Sequence, residues 1–531
     1  MLFPVVLSAL AGYCFLQLWK YFWGAHASFL RRIPSPEGGS LILGNLREVL
    51  ASRNDPDAVH ERWFQQCGPT LSYRGIFATR HLLTTDTKAI SHVLFNADDY
   101  PKPDMTRKLL GEVTGEGLLT VEGSQHKQQR KIMNPAFSHA NIREFHEVFL
   151  DKAIQLQQIW TTECLKSPGK ARIDTVPWLT RLTLDVITRT GFNHKIDSLN
   201  INDTHNEVHQ ALVELLRVAN ESRFMRVLCA RFPVLKWIPN QGKARLQVIQ
   251  DTLMCLGRQL LVEAKVAGEA EKADNKDLLS LLVRANVSPD VPVNQRMNEA
   301  DVLSQVPTFL LAGHETTSTA VTWAIYYLCR YPNVQTKLRQ ELLAVSTGTP
   351  TMEELSALPY LDWVIKETMR VKPPVPSTIR VAAKDDVIPL HHPFRDTRGI
   401  LHDSIPVKKG EMIDIPISAL NRDESLWGED AKEYRPERWE KSPEAVHAIP
   451  GVWGNMMTFL GGPRACIGYR FSIAEMKVIL FTIVREFEME LAVPYEDIIS
   501  KASAVQRPVL KSSPKDGPQM PIFVKIYQRE G

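Results

Sequence analysis

The sequence predicts a mainly α fold with a small β component, preceded by one N-terminal transmembrane helix. Three observations carry this. Long amphipathic runs dominate from about Ile142 to Tyr331, and helical signals continue to Arg370. Short strand-like runs sit in two sequence-separated parts, one before residue 100 and one after Pro373-Pro374. Leu2 to Trp19 is an almost uncharged apolar run.

The first element is the apolar run. Its eighteen residues would span about 27 Å as a helix, against a hydrocarbon core of roughly 30 Å. Lys20 and the aromatic Tyr21, Phe22 and Trp23 follow, and Arg31 and Arg32 lie just beyond. Basic residues on that side favour a cytosolic C-terminal body. The competing reading is a cleaved signal peptide, for which Gly24-Ala25-His26-Ala27 is a weak site. Three N-x-S/T sequons begin at Asn202, Asn220 and Asn286; in a cytosolic body they carry no consequence. Ile33-Pro34-Ser35-Pro36-Glu37-Gly38-Gly39 reads as a stiff hinge. The expected organisation is an anchor over 1–23, a Pro/Gly hinge over 24–40 and one domain over 41–531.

Within that domain, Leu71-Ser72-Tyr73 and His81 to Thr85 read as strands. Asn206–Val218 and Leu246–Val266 read as amphipathic helices. A long apolar helix starts near Asn298. A turn-rich region begins at Pro373, a last helix runs from just after Cys466 to about Phe487, and Ile522–Ile526 is strand-like. The two β parts are expected to pair as one subdomain.

Composition narrows the chemistry. The chain has 531 residues, 44% hydrophobic and 23% charged, with a formal net charge of +3. That is globular, and it does not indicate a polybasic nucleic-acid binder. The seven cysteines (Cys14, Cys67, Cys164, Cys229, Cys255, Cys329 and Cys466) are scattered and form no C-x-x-C. A disulfide framework or a zinc site is not expected, and the pattern suits a reducing compartment.

One cysteine stands in an unusual frame, Phe459-Leu460-Gly461-Gly462-Pro463-Arg464-Ala465-Cys466-Ile467-Gly468. A glycine-rich turn presents a lone thiol at a helix start. If Cys466 binds haem iron, each part has a task. The glycines clear bulk beside a flat macrocycle, and the helix dipole and free N–H groups favour the thiolate. Arg464 is placed to meet a propionate. The bland alternative is a buried cysteine in a glycine loop.

The stretch resembles the haem-binding signature of the cytochrome P450 family, F-x-x-G-x-R-x-C-x-G, matched by Phe459, Gly462, Arg464, Cys466 and Gly468. Three further segments resemble that family in its order. Ala312-Gly313-His314-Glu315-Thr316-Thr317 is similar to the oxygen-activation segment. By that match Thr316 would hydrogen-bond the bound oxygen and Glu315 would feed protons. The bland reading of such hydroxyls is a bond back to the i−4 carbonyl. Glu367-Thr368-Met369-Arg370 and Pro436-Glu437-Arg438-Trp439 are similar to the family's E-x-x-R and P-E-R segments, with Trp439 where the family often has Phe. Glu367, Arg370 and Arg438 are expected to form a buried network holding the cysteine loop. Gly123 to Arg130 places His126 where the family often has Trp; His126 and Arg130 share a helix face at i, i+4 and could both reach a propionate. Arg380 is a further propionate candidate.

The resemblance implies a cytochrome P450 fold, haem b with Cys466 as iron ligand, and insertion of one atom of O2 into a hydrophobic small molecule. The alternative is a reductase-independent isomerase or dehydratase on the same fold. By position, specificity would come from Pro101–Leu119, roughly Leu215–Trp237, Phe309 and Leu310, Val375–Thr378, and the loop near Ala502–Val509, all mostly apolar. No flavin or nicotinamide fingerprint is present, so electrons would come from a partner, an NADPH-cytochrome P450 reductase. Lys127, Arg130, Lys131, Arg470 and Lys477 could form a basic face for it. The expected setting is the bilayer of the endoplasmic reticulum, single-pass, with a cytosolic catalytic domain. The style resembles fungal members, many of which oxidise terpenoids, steroids or aromatics in secondary metabolism.

Overall fold

A computed structural model describes residues 28–40, 43–51, 56–75, 79–200, 210–212, 214–215, 218, 241–269, 277–287, 296–502 and 504–528. The apolar run Leu2–Trp19 and most of Asn206–Val218 lie outside them. Among the described residues no helix is long and apolar enough to cross a membrane. The chain forms two compact units, one over residues 1–103, 377–423 and 447–464, the other over 104–376, 424–446 and 465–531.

The first unit is built on a mixed sheet. Strands β1 (Thr70–Arg74) and β2 (Arg80–Thr84) pair antiparallel, β7 (Met412–Ile415) runs parallel to β2, and β4 (Thr378–Val381) closes the order β1-β2-β7-β4. The two separated β parts do pair. Leu71 and Leu83 are buried beside Trp63, and the Tyr73 ring packs 5.3 Å from that of Trp63. The long hairpin of β5 (Asp386–Arg395) and β6 (Leu401–Val407) is tied to the helix Thr87–Phe95 by one carboxylate. Asp86 accepts from the helical N–H groups of Lys88 and Ala89, capping them, and from those of His391 and His392 in β5. Of the stretch expected as a hinge, Ser28 to Ser40 is described; several of its side chains are packed, and Glu37, Gly38 and Gly39 are exposed. Leu30 and Ile33 are fully buried and Ser72 N–H donates to Pro34 O at 2.8 Å.

The second unit surrounds one long helix, Glu299–Arg330, which we term the central helix. It starts where the sequence puts it: the Asn298 side chain accepts from Asp301 N–H at 2.7 Å. It is apolar nearly all round and therefore buried, against the helices Thr175–Phe192, Gln241–Glu269 and Tyr469–Glu486. Gly313 allows the closest approach, because a Cβ there would sit 2.6 Å from Ile187 Cγ1. Strands β3 (Ala171–Asp174), β11 (Pro521–Ile526) and β8 (Phe487–Leu491) form a small sheet in the order β3-β11-β8, and β9 (Ile498–Ala502) pairs with β10 (Gln506–Leu510). Trp323 Nε1 donates to Gln506 O at 2.8 Å, fixing β10 against the central helix.

Glu367 and Arg370, on the helix Pro359–Val371, are fully buried and joined by two parallel bonds of 2.9 and 2.8 Å. Arg438 Nε reaches Glu367 at 3.3 Å and also binds Asp430. Trp439 Nε1 donates to Glu367 at 3.0 Å, a bond that Phe could not make. The expected network exists. What it holds is the segment Glu424–Trp439, through Arg370 to Ala431 O and Glu433 O.

Candidate functional site

Between Phe459 and Gly468 the backbone is unusual. Among the described residues, four non-glycines have positive φ; three are Asn or Asp, and the fourth is Leu460 at φ 58°. An apolar residue in that region is strained. Gly461 and Gly462 follow at once. A Cβ on Gly461 would lie 1.7 Å from Pro450 O, and one on Gly462, at φ 69°, 2.6 Å from Leu94 O. These glycines are demanded by the protein's own backbone, not only by an incoming flat group. Phe459 is buried with its ring edge-on to Trp453 at 5.5 Å.

The unit boundary falls between Arg464 and Ala465. On the far side, Arg130 Nη1 donates to Ala465 O at 2.6 Å, pinning the residue before the thiol. Burial pushes the Cys466 thiol above its ordinary value; the Gly468 N–H and the Arg130 charge pull it back. By surface area Cys466 is nevertheless exposed. Among the described residues, five cysteines are free thiols.

The middle of the central helix is also open. Ala312 is exposed and Thr316 half-buried on a helix otherwise packed. The Thr316 hydroxyl donates to Ala312 O at 2.8 Å, the bland bond anticipated for it. That bond uses the proton and leaves the oxygen lone pairs available.

Glu315 points elsewhere. Its carboxylate pairs with Arg507 from β10, and its other oxygen lies 3.8 Å from His314 Nε2. Burial lowers the His314 pKa, so the ring is neutral at pH 7. His314 Nδ1 bonds to Leu310 O, and a carbonyl only accepts; Nδ1 therefore carries the proton and Nε2 is bare. Glu315, His314, Arg181, Arg507 and Thr322 line a cavity of about 260 Å³, roomy enough for several waters, for which these side chains are polar partners. The sequence reading missed Arg507 and gave His314 no role. Arg507 sits in a loop assigned to substrate by its apolar neighbours, and a lone arginine there was the available signal.

The other expected residues are placed as follows. His126 is buried on the helix Gly123–Met133, one turn from the half-buried Arg130. Arg464 is half-buried. Arg380, in β4, is 2% exposed; Nη1 bonds to Thr378 and Ile379, Nη2 has no partner, and burial brings its pKa down to about 10. It remains a cation with an unmet donor. Lys127, Lys131 and Arg470 are exposed, whereas Lys477 is buried in an ion pair with Asp362 at 3.0 Å. Lys477 is thereby removed from the expected basic face, because its charge is spent internally. Leu310 and Phe309 are buried, Phe309 stacked on Phe137 at 5.5 Å.

Comparison with known proteins gives the family. The family profile for cytochrome P450 matches residues 34–512. The chain belongs to the cytochrome P450 family. It is 49% identical over 507 residues to cytochrome P450 monooxygenase 205 of Postia placenta, covering 94% of this chain and 93% of that one. Cytochrome P450 monooxygenase 128 of the same fungus is 45% identical over 516 residues, covering 95% and 94%. Cytochrome P450 monooxygenase claW of Ampulloclitocybe clavipes is 34% identical over 514 residues, covering 93% and 92%. The P450 is thus an oxidoreductase of the monooxygenase kind, and its family implies a haem cofactor, O2, a substrate and a redox partner. The residues present fit that cofactor. The Cys466 thiol is exposed, and the Gly468 N–H and the Arg130 charge favour its anion, the form in which a cysteine binds iron.

Proposed function

We propose that this P450 hydroxylates a hydrophobic small molecule in fungal secondary metabolism, a terpenoid, steroid or aromatic compound. The observation that carries the oxygen-inserting reading is the Glu315–Thr316 pair: a hydroxyl at an open stretch in the middle of the central helix, next to a buried acid that lines a cavity. The fungal relatives carry monooxygenase names, which supports the setting.

Bound haem b would supply the oxygen activation, with Cys466 as its iron ligand. Gly468 N–H and Arg130 stabilise negative charge on the sulfur. Arg130, His126, Arg464 and Arg380 would hold the two propionates; Phe459, Gly462 and Gly468 shape the loop beside the ring. Protons enter from the water cavity. Bare His314 Nε2 accepts one, and Glu315, released from Arg507, passes it to Thr316, whose oxygen can accept while its own proton moves on. The apolar wall of Phe309 and Phe137 keeps bulk water out.

Electrons would come from an NADPH-cytochrome P450 reductase docking on exposed Lys127, Lys131 and Arg470. Leu2–Trp19 would anchor the chain in the endoplasmic reticulum membrane, with the basic residues after it keeping the body cytosolic.

The test is reconstitution with the reductase in membranes, screened against terpenoid, steroid and aromatic libraries. Product should require NADPH and O2. Thr316→Ala should keep the thiolate-type carbon monoxide spectrum but send most reducing equivalents to peroxide. Turnover persisting without any electron donor would sink this reading in favour of an isomerase or dehydratase.

A further inference from the structure

The C-terminal half of the central helix carries more oxidisable rings than packing needs. Trp323, Tyr326, Tyr327 and Arg330 stand at i, i+3, i+4 and i+7, one face of the helix. Trp323 is seven residues from Thr316, two turns or about 10.5 Å along the axis. From there the rings touch in series. Trp323 meets Tyr326 at 5.3 Å, Tyr326 meets Tyr327 at 5.1 Å, and Tyr327 stacks on Tyr434 at 4.2 Å with the planes 3° apart. Tyr434 stacks on Tyr331 at 5.6 Å. The Arg330 guanidinium lies 5.6 Å from the Tyr331 ring and 4.3 Å from that of Tyr495, which is 45% exposed. The ring contacts run from a buried indole to Tyr331, and the Arg330 guanidinium spans the last step to the solvent-facing Tyr495 phenol.

Indole and phenol are the most readily one-electron-oxidised side chains that lack sulfur, and rings in contact exchange electrons quickly. Proton chemistry fits the two ends. An oxidised indole can keep its proton, so Trp323 needs no base. A phenol must lose one, and the Tyr495 hydroxyl is hydrogen-bonded to the Glu496 carboxylate. The Lys372 ammonium lies 5.5 Å from the Trp323 ring. That charge makes the indole harder to oxidise, so it yields an electron only to a strong oxidant left unused.

We propose that this Trp–Tyr series is a discharge route that protects the P450 when oxygen has been activated but no substrate takes it. Bound haem would supply the activated oxygen atom and its two oxidising equivalents, which this chain's own residues would discharge. One electron passes from Tyr495 through the rings to the site, and the Tyr495 proton goes to Glu496. A surface thiol reductant returns one hydrogen atom to the Tyr495 radical. A second round supplies the second electron. With two protons taken at the site, the oxygen leaves as water, and two thiols become one disulfide.

The proposal rests on the haem-bearing monooxygenase reading, and the test separates the two. Haem-loaded protein is first checked for the thiolate-type carbon monoxide spectrum; its absence refutes the parent reading. The ferric protein is then treated with a peracid and a nitrone spin trap, and adducts are mapped by mass spectrometry. The wild type should carry adduct at Tyr495. Trp323→Phe and Tyr326→Phe, which keep a ring, should cut that adduct at least tenfold and shorten survival under peracid several-fold. Tyr495→Phe, a surface change that leaves the fold intact, should move adduct back to Tyr331. Adduct at Tyr495 unchanged in both upstream variants, or no adduct at Tyr495 in a wild type with the correct spectrum, overturns the proposal.

Discussion

The least expected residue is Glu475, on the helix Tyr469–Glu486. It is 1% exposed, and neither carboxylate oxygen has a partner. Burial alone drives its pKa well above the ordinary carboxylate value, so the folded protein holds it as a neutral acid. The unfolded chain ionises it near the ordinary value. Above that pH the unfolded state binds fewer protons, and stability falls as pH rises, by about 1.4 kcal/mol per unit until the native pKa is reached. Glu475→Gln removes this dependence. Its denaturation midpoint should match wild type near pH 4.5 and exceed it increasingly toward pH 8; parallel curves would show the acid to be paired. Nothing in the sequence marks Glu475, because burial without a partner is a property of packing. The family frame around Cys466 was legible for the opposite reason: it is ten consecutive residues. The Thr316 hydroxyl lies between these cases, its position legible and its bond to Ala312 not exclusive of the oxygen-facing role.

At the scale of elements, the Glu367 carboxylate organises Glu424–Trp439. It accepts from Arg370 twice, from Arg438, from Trp439 Nε1 and from Arg435 N–H at 2.9 Å. Removing one partner of a buried ion pair leaves charge uncompensated, at about 3–5 kcal/mol. Arg438→Ala should lower unfolding stability by that amount, while Trp439→Phe, losing one charge-assisted bond, should cost about 1.5–3 kcal/mol. Arg370→Lys should cost nearly as much as Arg438→Ala, since an ammonium cannot reproduce the two-pronged contact. Urea titrations of the three variants give the ranking; a Trp439→Phe protein as stable as wild type would mean that the indole bond contributes nothing. The spacing E-x-x-R was readable because i and i+3 share a helix face. Which carbonyls Arg370 reaches was not, since Ala431 and Glu433 are brought to it by tertiary folding. The central helix was readable to within one residue at its start, because Asn298 is a strong cap followed by apolar residues.

At the scale of the molecule, two β parts far apart in sequence were expected to meet, and β2 does lie beside β7. The order β1-β2-β7-β4 was not legible, since alternating runs reveal strands but not partners. Pro34, Pro36, Gly38 and Gly39 read as a stiff hinge, and the side chains just before them tie the chain to the first unit. Phe29 lies edge-on to His402 at 5.0 Å, and Thr397 N–H donates to Arg32 O at 2.8 Å. Leu30 and Ile33 are fully buried. Burial of two such side chains contributes about 3–6 kcal/mol, comparable with the whole net stability of many domains. A chain starting at Ser28 should therefore unfold at the same urea midpoint as the full chain and give the same carbon monoxide spectrum. A chain starting at Pro34 should lose about 3–6 kcal/mol and much of that spectrum. Double substitution Leu30→Ala/Ile33→Ala in the full chain should reproduce most of the loss, because it deletes the same buried surface while keeping the backbone bond at Arg32. Equal midpoints for the two truncated chains would mean that these residues rest on the unit without stabilising it.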